Sequence, residues 1–392
     1  MFSTLKKILR FSLVFSFLLL ASTPVFAKHS DDTDKEGVNN SALLPARKLA
    51  SGVGINYFNA FLRTLRDPKD TSYEAGFAAL AKYHIPFVRF AACGFWPKDM
   101  ALYRQDKVAY FARLDAVVHA AEKNGICLIP DLFWHYSTVP DIVGEPCNQW
   151  GNAQSKTQAW MRAYIQEVVT RYKTSPAIIG WEFGNEYNNK IDLPNRAQHR
   201  PPVNTKEGTP ATRSADDDLT LGMLQIALKE FAKEVRKYDT EHFITSGNSM
   251  PRPAAWHNTH QNNWDTDTPE QAADILLAQN PDSIDMISVH VYRDVIERLP
   301  LVTRAAEAVK KPVFVGEFQV PNGPEAPSLF DIWITRMQQQ GVALAAVWVF
   351  DYSVQEKGNS ITPENGRSWQ LEKIADANKN WRKNPSLIPK NP

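Results

Sequence analysis

The sequence predicts an α/β fold, a single-domain (β/α)8 TIM barrel. Three observations carry this. Eight short apolar runs alternate with longer amphipathic stretches, a pattern that implies parallel strands with helices over both sheet faces. The span holding these units is about 330 residues, an ordinary size for such a barrel. The first strand–helix turn, INYFNAFLRTLRDPKD, lacks the G-x-G-x-x-G of an open nucleotide-binding sheet.

Taken in order, the first strand is GVGINYF, followed by a helical pattern from Tyr73 to His84. PFVRFAA is the second strand, and Val108 to Gly125 the helix after it, with Gly125 as its stop. CLIPDLF then precedes the helix TQAWMRAYIQEVVTRYK, and AIIGWEF precedes DDLTLGMLQIALKEFAKEVRKY. HFITSGN is the fifth strand, ahead of a helix from Pro269 to Gln279. DMISVHVY is the sixth, with a helix after Val295. PVFVGEF and SLFDIWITRMQQQG form the seventh unit, ALAAVWVF and WQLEKIADANKNW the eighth. Three connections are longer than turns: Trp134 to Ser155, Tyr187 to Ala215 and Pro251 to Thr268. All leave the C-terminal ends of strands, where barrel active sites form, and loops of such length usually have a function.

The ends read differently. Lys6, Lys7 and Arg10 precede an apolar run from Phe11 to Leu20, and VFA ends at Ala27. Residues 1–27 therefore read as a signal peptide cleaved near Ala27, and the protein is expected to be secreted or periplasmic. The run is shorter than the ~20 residues that span a bilayer, so no stable membrane insertion is expected. Residues 28–48 are a polar, disordered lead-in and 49–392 the catalytic barrel. The net charge is +1 with no basic tract, so no nucleic acid is expected as a partner. Cys127 opens an apolar strand and reads as a buried thiol, while Cys93 and Cys147 fall at loop positions where one disulfide is conceivable. No ligand spacing points to a metal, no cofactor is implied, and a monomer is expected.

Glu186, in GWEFGNEYNN, falls just past the fourth strand, and Glu317 ends the seventh, PVFVGEF. In a closed barrel these positions face each other across the mouth. Two facing carboxylates, one protonated and one ionised, are what glycosidic cleavage needs, and their repulsion helps separate their pKa values. Glu182, four residues before Glu186, reads as a partner for a basic residue in the barrel.

These residues resemble the retaining (β/α)8 glycoside hydrolase clan, and within it the family 5 cellulase and β-mannanase group. The resemblance implies Glu186 as acid/base, Glu317 as nucleophile and Asn185 as the ligand of the sugar 2-hydroxyl. It implies Arg89 in FVRFAA as support for the nucleophile, His290 and Tyr292 as the strand-six H-x-Y, and Trp348 as the floor of the sugar site. His135 resembles the clan's histidine after strand three, although DLFWH stands where many members have DLH.

Physical chemistry agrees. Arg89 is permanently cationic and suited to hold Glu317 ionised. His290 and Tyr292 are two apart and share a strand face, with Val289 and Val291 on the other. Among 11 tryptophans, Trp96, Trp134, Trp150, Trp181, Trp256, Trp264 and Trp348 are candidate sugar platforms. The expected activity is retaining endo-hydrolysis of a β-linked poly- or oligosaccharide, with carboxyl groups about 5–5.5 Å apart. β-Mannan and β-1,4-glucan are favoured, and no dedicated basic pocket for a carboxylated substrate is legible. Transglycosylation and exo-action remain open on the same scaffold, as does a binding-only barrel. A serine esterase would want a G-x-S-x-G elbow, which TSGNSM does not supply.

Overall fold

The computed structural model describes residues 51–355 and 358–381. The proposed signal peptide and the polar lead-in lie outside them. The strands are β1 (Gly52–Asn56), β2 (Phe87–Ala91), β3 (Cys127–Phe133), β4 (Gly180–Gly184), β5 (Phe243–Thr245), β6 (Ile287–Tyr292), β7 (Val313–Gln319) and β8 (Leu344–Val347). Between β1 and β2 lie α1 (Leu62–Arg66) and α2 (Ser72–Lys82); α3 (Ala101–Gln105) and α4 (Lys107–Lys123) precede β3. α5 (Thr138–Val143) and α6 (Lys156–Tyr172) lead to β4, and α7 (Leu221–Arg236) to β5. α8 (Ala255–Gln261), α9 (Pro269–Gln279), α10 (Leu299–Ala308), α11 (Ala326–Gln339) and α12 (Trp369–Trp381) complete the series.

All strand pairings are parallel, in the order β5-β4-β3-β2-β1-β8-β7-β6. The seam between β5 and β6 is closed by Asp285. Its N–H donates to the Ile244 carbonyl at 2.9 Å, and its carboxylate accepts from the Ile244 N–H at 2.6 Å. The expected (β/α)8 barrel is therefore the architecture. The longer helices start where capping chemistry allows. Ser155 Oγ accepts from Gln158 N–H at 3.0 Å at the start of α6. Thr268 and Gln271 form a reciprocal capping box before Pro269 of α9.

Period-2 alternation sets the barrel's interior. Phe87, Ile129, Ile179, Phe314, Leu344 and Ala346 pack as one apolar cluster. Two residues further along their strands, Arg89 and Asp131 follow Phe87 and Ile129, and both are fully buried. The inward face thus changes from apolar to ionic toward the C-terminal ends.

Some expectations are corrected. β5 has three residues, because Gly247 turns the chain with φ 67°. β8 ends at Val347, so Trp348 lies just past the strand. Cys93 and Cys147 are both buried free thiols, and the conceivable disulfide does not form. Cys93 instead accepts from the Trp134 N–H at 3.5 Å, and Cys147 N–H donates to Asp217 at 3.3 Å. Cys127 is half-buried rather than buried.

Candidate active site

The chain reaches Glu186 through a strained turn. β4 ends at Gly184, and Glu186 takes φ 54°, a left-handed conformation uncommon for a non-glycine residue. Two backbone bonds hold it there: Asn185 N–H to the Trp134 carbonyl at 3.2 Å and Glu186 N–H to the Gly247 carbonyl at 2.9 Å. Gly247 is required for this approach, because a Cβ there would come within 1.7 Å of the Gly184 carbonyl oxygen.

Glu317 arrives from β7. A register irregularity between β6 and β7 sets His290 opposite Glu317. Tyr292 donates its hydroxyl to Glu317 Oε2 at 2.6 Å, and Arg89 donates from Nη1 to Oε1 at 2.8 Å. Burial, with the Glu317 charge, pushes the Tyr292 hydroxyl far above its usual range, so it remains a donor. His290 Nδ1 lies 2.9 Å from Glu186 Oε1 and 3.5 Å from Glu317 Oε2. Ligating atoms of Glu186, His290 and Glu317 all lie within 4.8 Å of one another. The two carboxylates therefore face each other across a narrow gap, as the sequence leads one to expect. Three such donors are enough for a cation in principle; here the Arg89 guanidinium already supplies positive charge to Glu317.

Arg89 organises the floor. Besides Glu317 it binds Glu182 through Nε, Asn56 Oδ1 at 2.9 Å and Asn185 Oδ1 at 2.8 Å, with Asp131 at 3.5 Å. Because the Asn185 oxygen accepts from Arg89, its amide nitrogen is left as the free donor. Burial works to lower the Arg89 pKa, but the Glu182, Glu317 and Asp131 carboxylates overcome it and raise the net value. Glu182 is thus the partner of a buried base. Asn56, a polar residue ending an apolar strand, and Asp131, inside CLIPDLF, were not singled out from sequence. Burial and the facing Glu182 push Asp131 well above the ordinary carboxylate range despite Arg89. Burial raises Glu182 as well.

On Glu186, burial acts upward, while hydrogen bonds from His290 and Asn189 act downward and prevail. His290 Nε2 is buried without a partner, and Gly316 lies beneath it, where a Cβ would stand 3.0 Å away. A proton there would have no acceptor, so the ring proton belongs on Nδ1, donated to Glu186.

The aromatic candidates separate by their surroundings. Trp348 lies near-parallel to Trp134, with centroids 6.1 Å apart at 29°. Phe58 packs on Trp134 at 4.6 Å, and the Arg89 guanidinium lies 4.6 Å from the Trp134 ring. Trp96 and His135 form a neighbouring cluster, 5.6 Å apart. Burial, with Arg213 and Lys190 nearby, pushes His135 down to about 4. His135 bonds Ser137 at 3.2 Å and makes no hydrogen bond to either candidate carboxylate. Trp264 stands half exposed between α8 and α9, with no ring contact or hydrogen bond to this group among the described residues. Trp150 and Trp181 are core residues; their indoles donate to the Tyr136 carbonyl at 2.7 Å and to Asp239 at 2.8 Å. Trp256 stacks on His260 at 4.3 Å.

A parallel eight-stranded barrel with facing glutamates, one just past its fourth strand and one near the end of its seventh, is the framework of the barrel glycoside hydrolases. The chain belongs to one family among them, the cellulase family (glycosyl hydrolase family 5), whose profile matches residues 51–353. Over 80 residues it is 42% identical to a probable mannan endo-1,4-beta-mannosidase F of Aspergillus flavus, covering 19% of this chain and 17% of that protein. The corresponding Aspergillus fumigatus enzyme is 44% identical over 80 residues, covering 19% and 18%. The chain thus aligns with under a fifth of the length of these relatives. Among solved structures, an endo-beta-1,4-mannanase from Thermotoga petrophila superposes with a TM-score of 0.60 at 14% identity, covering 85% of this chain and 78% of that one. An endo-1,4-beta-mannanase from Rhizomucor miehei gives 0.60 at 16% identity, covering 84% and 95%. These two share the fold.

Proposed function

We propose that the protein is a retaining endo-β-glycosidase acting on β-1,4-mannan, with β-1,4-glucan as the second substrate. The observation that carries this is the pair of carboxylates with oxygens within 4.8 Å, each held by different partners. That separation suits retention, whereas inversion needs about 6.5–9.5 Å to admit a water. Glu317, hydrogen-bonded by Arg89 and oriented by Tyr292, attacks the anomeric carbon. Glu186 gives its proton to the leaving oxygen, and a covalent glycosyl-enzyme forms.

Filling the cleft with sugar strips the remaining water from Glu186, whose side chain is 31% exposed in the free site. Desolvation is the influence that raises its pKa, so substrate binding favours the acid form. Once Glu317 is esterified its negative charge is gone. The repulsion that favoured a proton on Glu186 is relieved, and Glu186 becomes the base that activates water. Asn185 offers its amide to the sugar 2-hydroxyl, and Trp348, Trp134 and Trp96 supply apolar surface for pyranose faces. Mannan is placed first because the curated relatives described above are mannan endo-1,4-beta-mannosidases. We further propose export, on the basic and apolar pattern of residues 1–27. No helix among the described residues is long and apolar enough to cross a membrane.

The test is incubation with β-1,4-mannan, β-1,4-glucan, β-xylan and β-galactan, reading products by mass spectrometry and the first anomer by proton NMR. Internal cleavage of mannan with β-anomer first is expected, falling at least about a thousandfold in Glu317→Ala. Undiminished cleavage by that variant, or α-anomer first, would refute the mechanism.

A further inference from the structure

We propose that the cleft carries an anion-binding subsite on the leaving-group side of the scissile bond, formed by Lys190 and Arg252 and suited to a carboxylate-bearing sugar. The inference rests on the glycosidase reading of the same cleft.

Lys190 ends the 3-10 turn Tyr187–Lys190 that starts directly after Glu186. Arg252 comes from the loop after β5 and donates from Nη2 to the carbonyl of Asn189. Asn189 N–H returns to the Glu186 carbonyl at 3.0 Å. One short turn thus ties both cations to the proposed acid/base. Both are half-buried, and among the described residues neither has an acidic group within 4.0 Å. Glu186 is the one acid that acts on either, and burial with mutual repulsion lowers Lys190. Arg252 Nε is buried with no acceptor.

Two other arginines on the β4 loop are neutralised. Arg213 binds Asp141 at 2.6 Å and 2.8 Å, and Arg200 binds Asp218 at 2.7 Å. Like charges brought together in partial burial without a counterion work against folding. A carboxylate from a ligand would supply the missing charge through charge-assisted hydrogen bonds. The side follows from the strands. Lys190 and Arg252 come from the loops after β4 and β5, across the mouth from Phe58 and Trp348 after β1 and β8. Glu186 protonates the departing oxygen, so groups beyond it meet the departing sugar.

The probes are β-1,4-mannotriose and its reducing-end aldonate, which places one carboxylate on the departing side. Binding of both is measured by calorimetry to Glu317→Gln, and turnover of both by the wild-type enzyme. The aldonate is expected to bind on the order of tenfold more tightly at low salt, with the advantage shrinking as ionic strength rises. Lys190→Met and Arg252→Met should each lower the ratio, and the double variant should bring it to about one. Arg252→Lys, which keeps the charge, should retain a preference. An aldonate that binds no more tightly than the neutral trisaccharide overturns the subsite, whatever turnover does. Failure of the wild type to cleave either sugar counts against the hydrolase reading alone, because the binding ratio is read on a variant that need not turn over.

Discussion

Replacing Arg89 with methionine should be among the most damaging single changes in the barrel. The side chain is fully buried, and one guanidinium faces three carboxylates, Asp131, Glu182 and Glu317. Asp131 Oδ2 and Glu182 Oε2, from paired positions on β3 and β4, have no donor of their own. Removing the cation leaves buried charge uncompensated, at a cost of about 3–5 kcal/mol out of a total stability of roughly 5–15 kcal/mol. The sign of the pH dependence follows from the directions already given. Asp131 and Glu182 are raised in the folded state, so the fold holds protons that the unfolded chain releases. Their stabilising contribution is complete below the unfolded carboxylate pKa, about 4, and is lost as pH rises through the folded values. Without Arg89 both are raised further, so the variant should lose more stability at pH 8 than at pH 5. Asp131→Asn is the contrast. It keeps the acceptor for Phe133 N–H, now at 3.1 Å, and offers Glu182 an amide donor. Its cost should be within about 1 kcal/mol, with a flatter pH profile. Guanidinium denaturation at both pH values reads all three proteins. An Arg89→Met loss below about 1 kcal/mol, or one equal at the two pH values, would refute the charge argument.

Two further outcomes follow from the geometry around Glu186. His290 lowers the Glu186 pKa, so His290→Ala should raise it and carry the alkaline limb of kcat/KM to higher pH; an unmoved or downshifted limb would contradict the assignment. Gly247→Ala should cost more than about 3 kcal/mol, because its Cβ would meet the Gly184 carbonyl at 1.7 Å. Gly222→Ala, with nothing within 4 Å of the added Cβ and a place in α7, should be neutral or stabilising by up to about 1 kcal/mol. Similar melting temperatures for the two variants would refute the packing argument.

How far the sequence reveals this site depends on what holds each residue. Arg89, His290, Tyr292 and Glu317 are legible because each lies on a strand whose period aims it at the mouth, and Asn185 and Glu186 because they follow directly on one. Glu182 is half legible: its burial in a strand calls for a cation, but only the barrel's closure identifies Arg89. Trp150 and Trp181 mislead because an indole near a strand end looks the same in sequence whether it faces sugar or core. Their N–H groups are already taken by Tyr136 and Asp239. The basic pair is least legible of all. Lys190 follows two asparagines, Arg252 sits between two prolines, and neither belongs to a charge cluster in the sequence. They meet because Gly247 brings the chain after β5 against Gly184, so that a guanidinium 63 residues downstream reaches the Asn189 carbonyl. The same close approach sets the left-handed turn of Glu186. The backbone contact that positions the proposed acid also brings the Arg252 loop to Asn189, beside Lys190, which is why a sequence scan for basic tracts finds nothing here while the fold sets two cations on the turn after the acid.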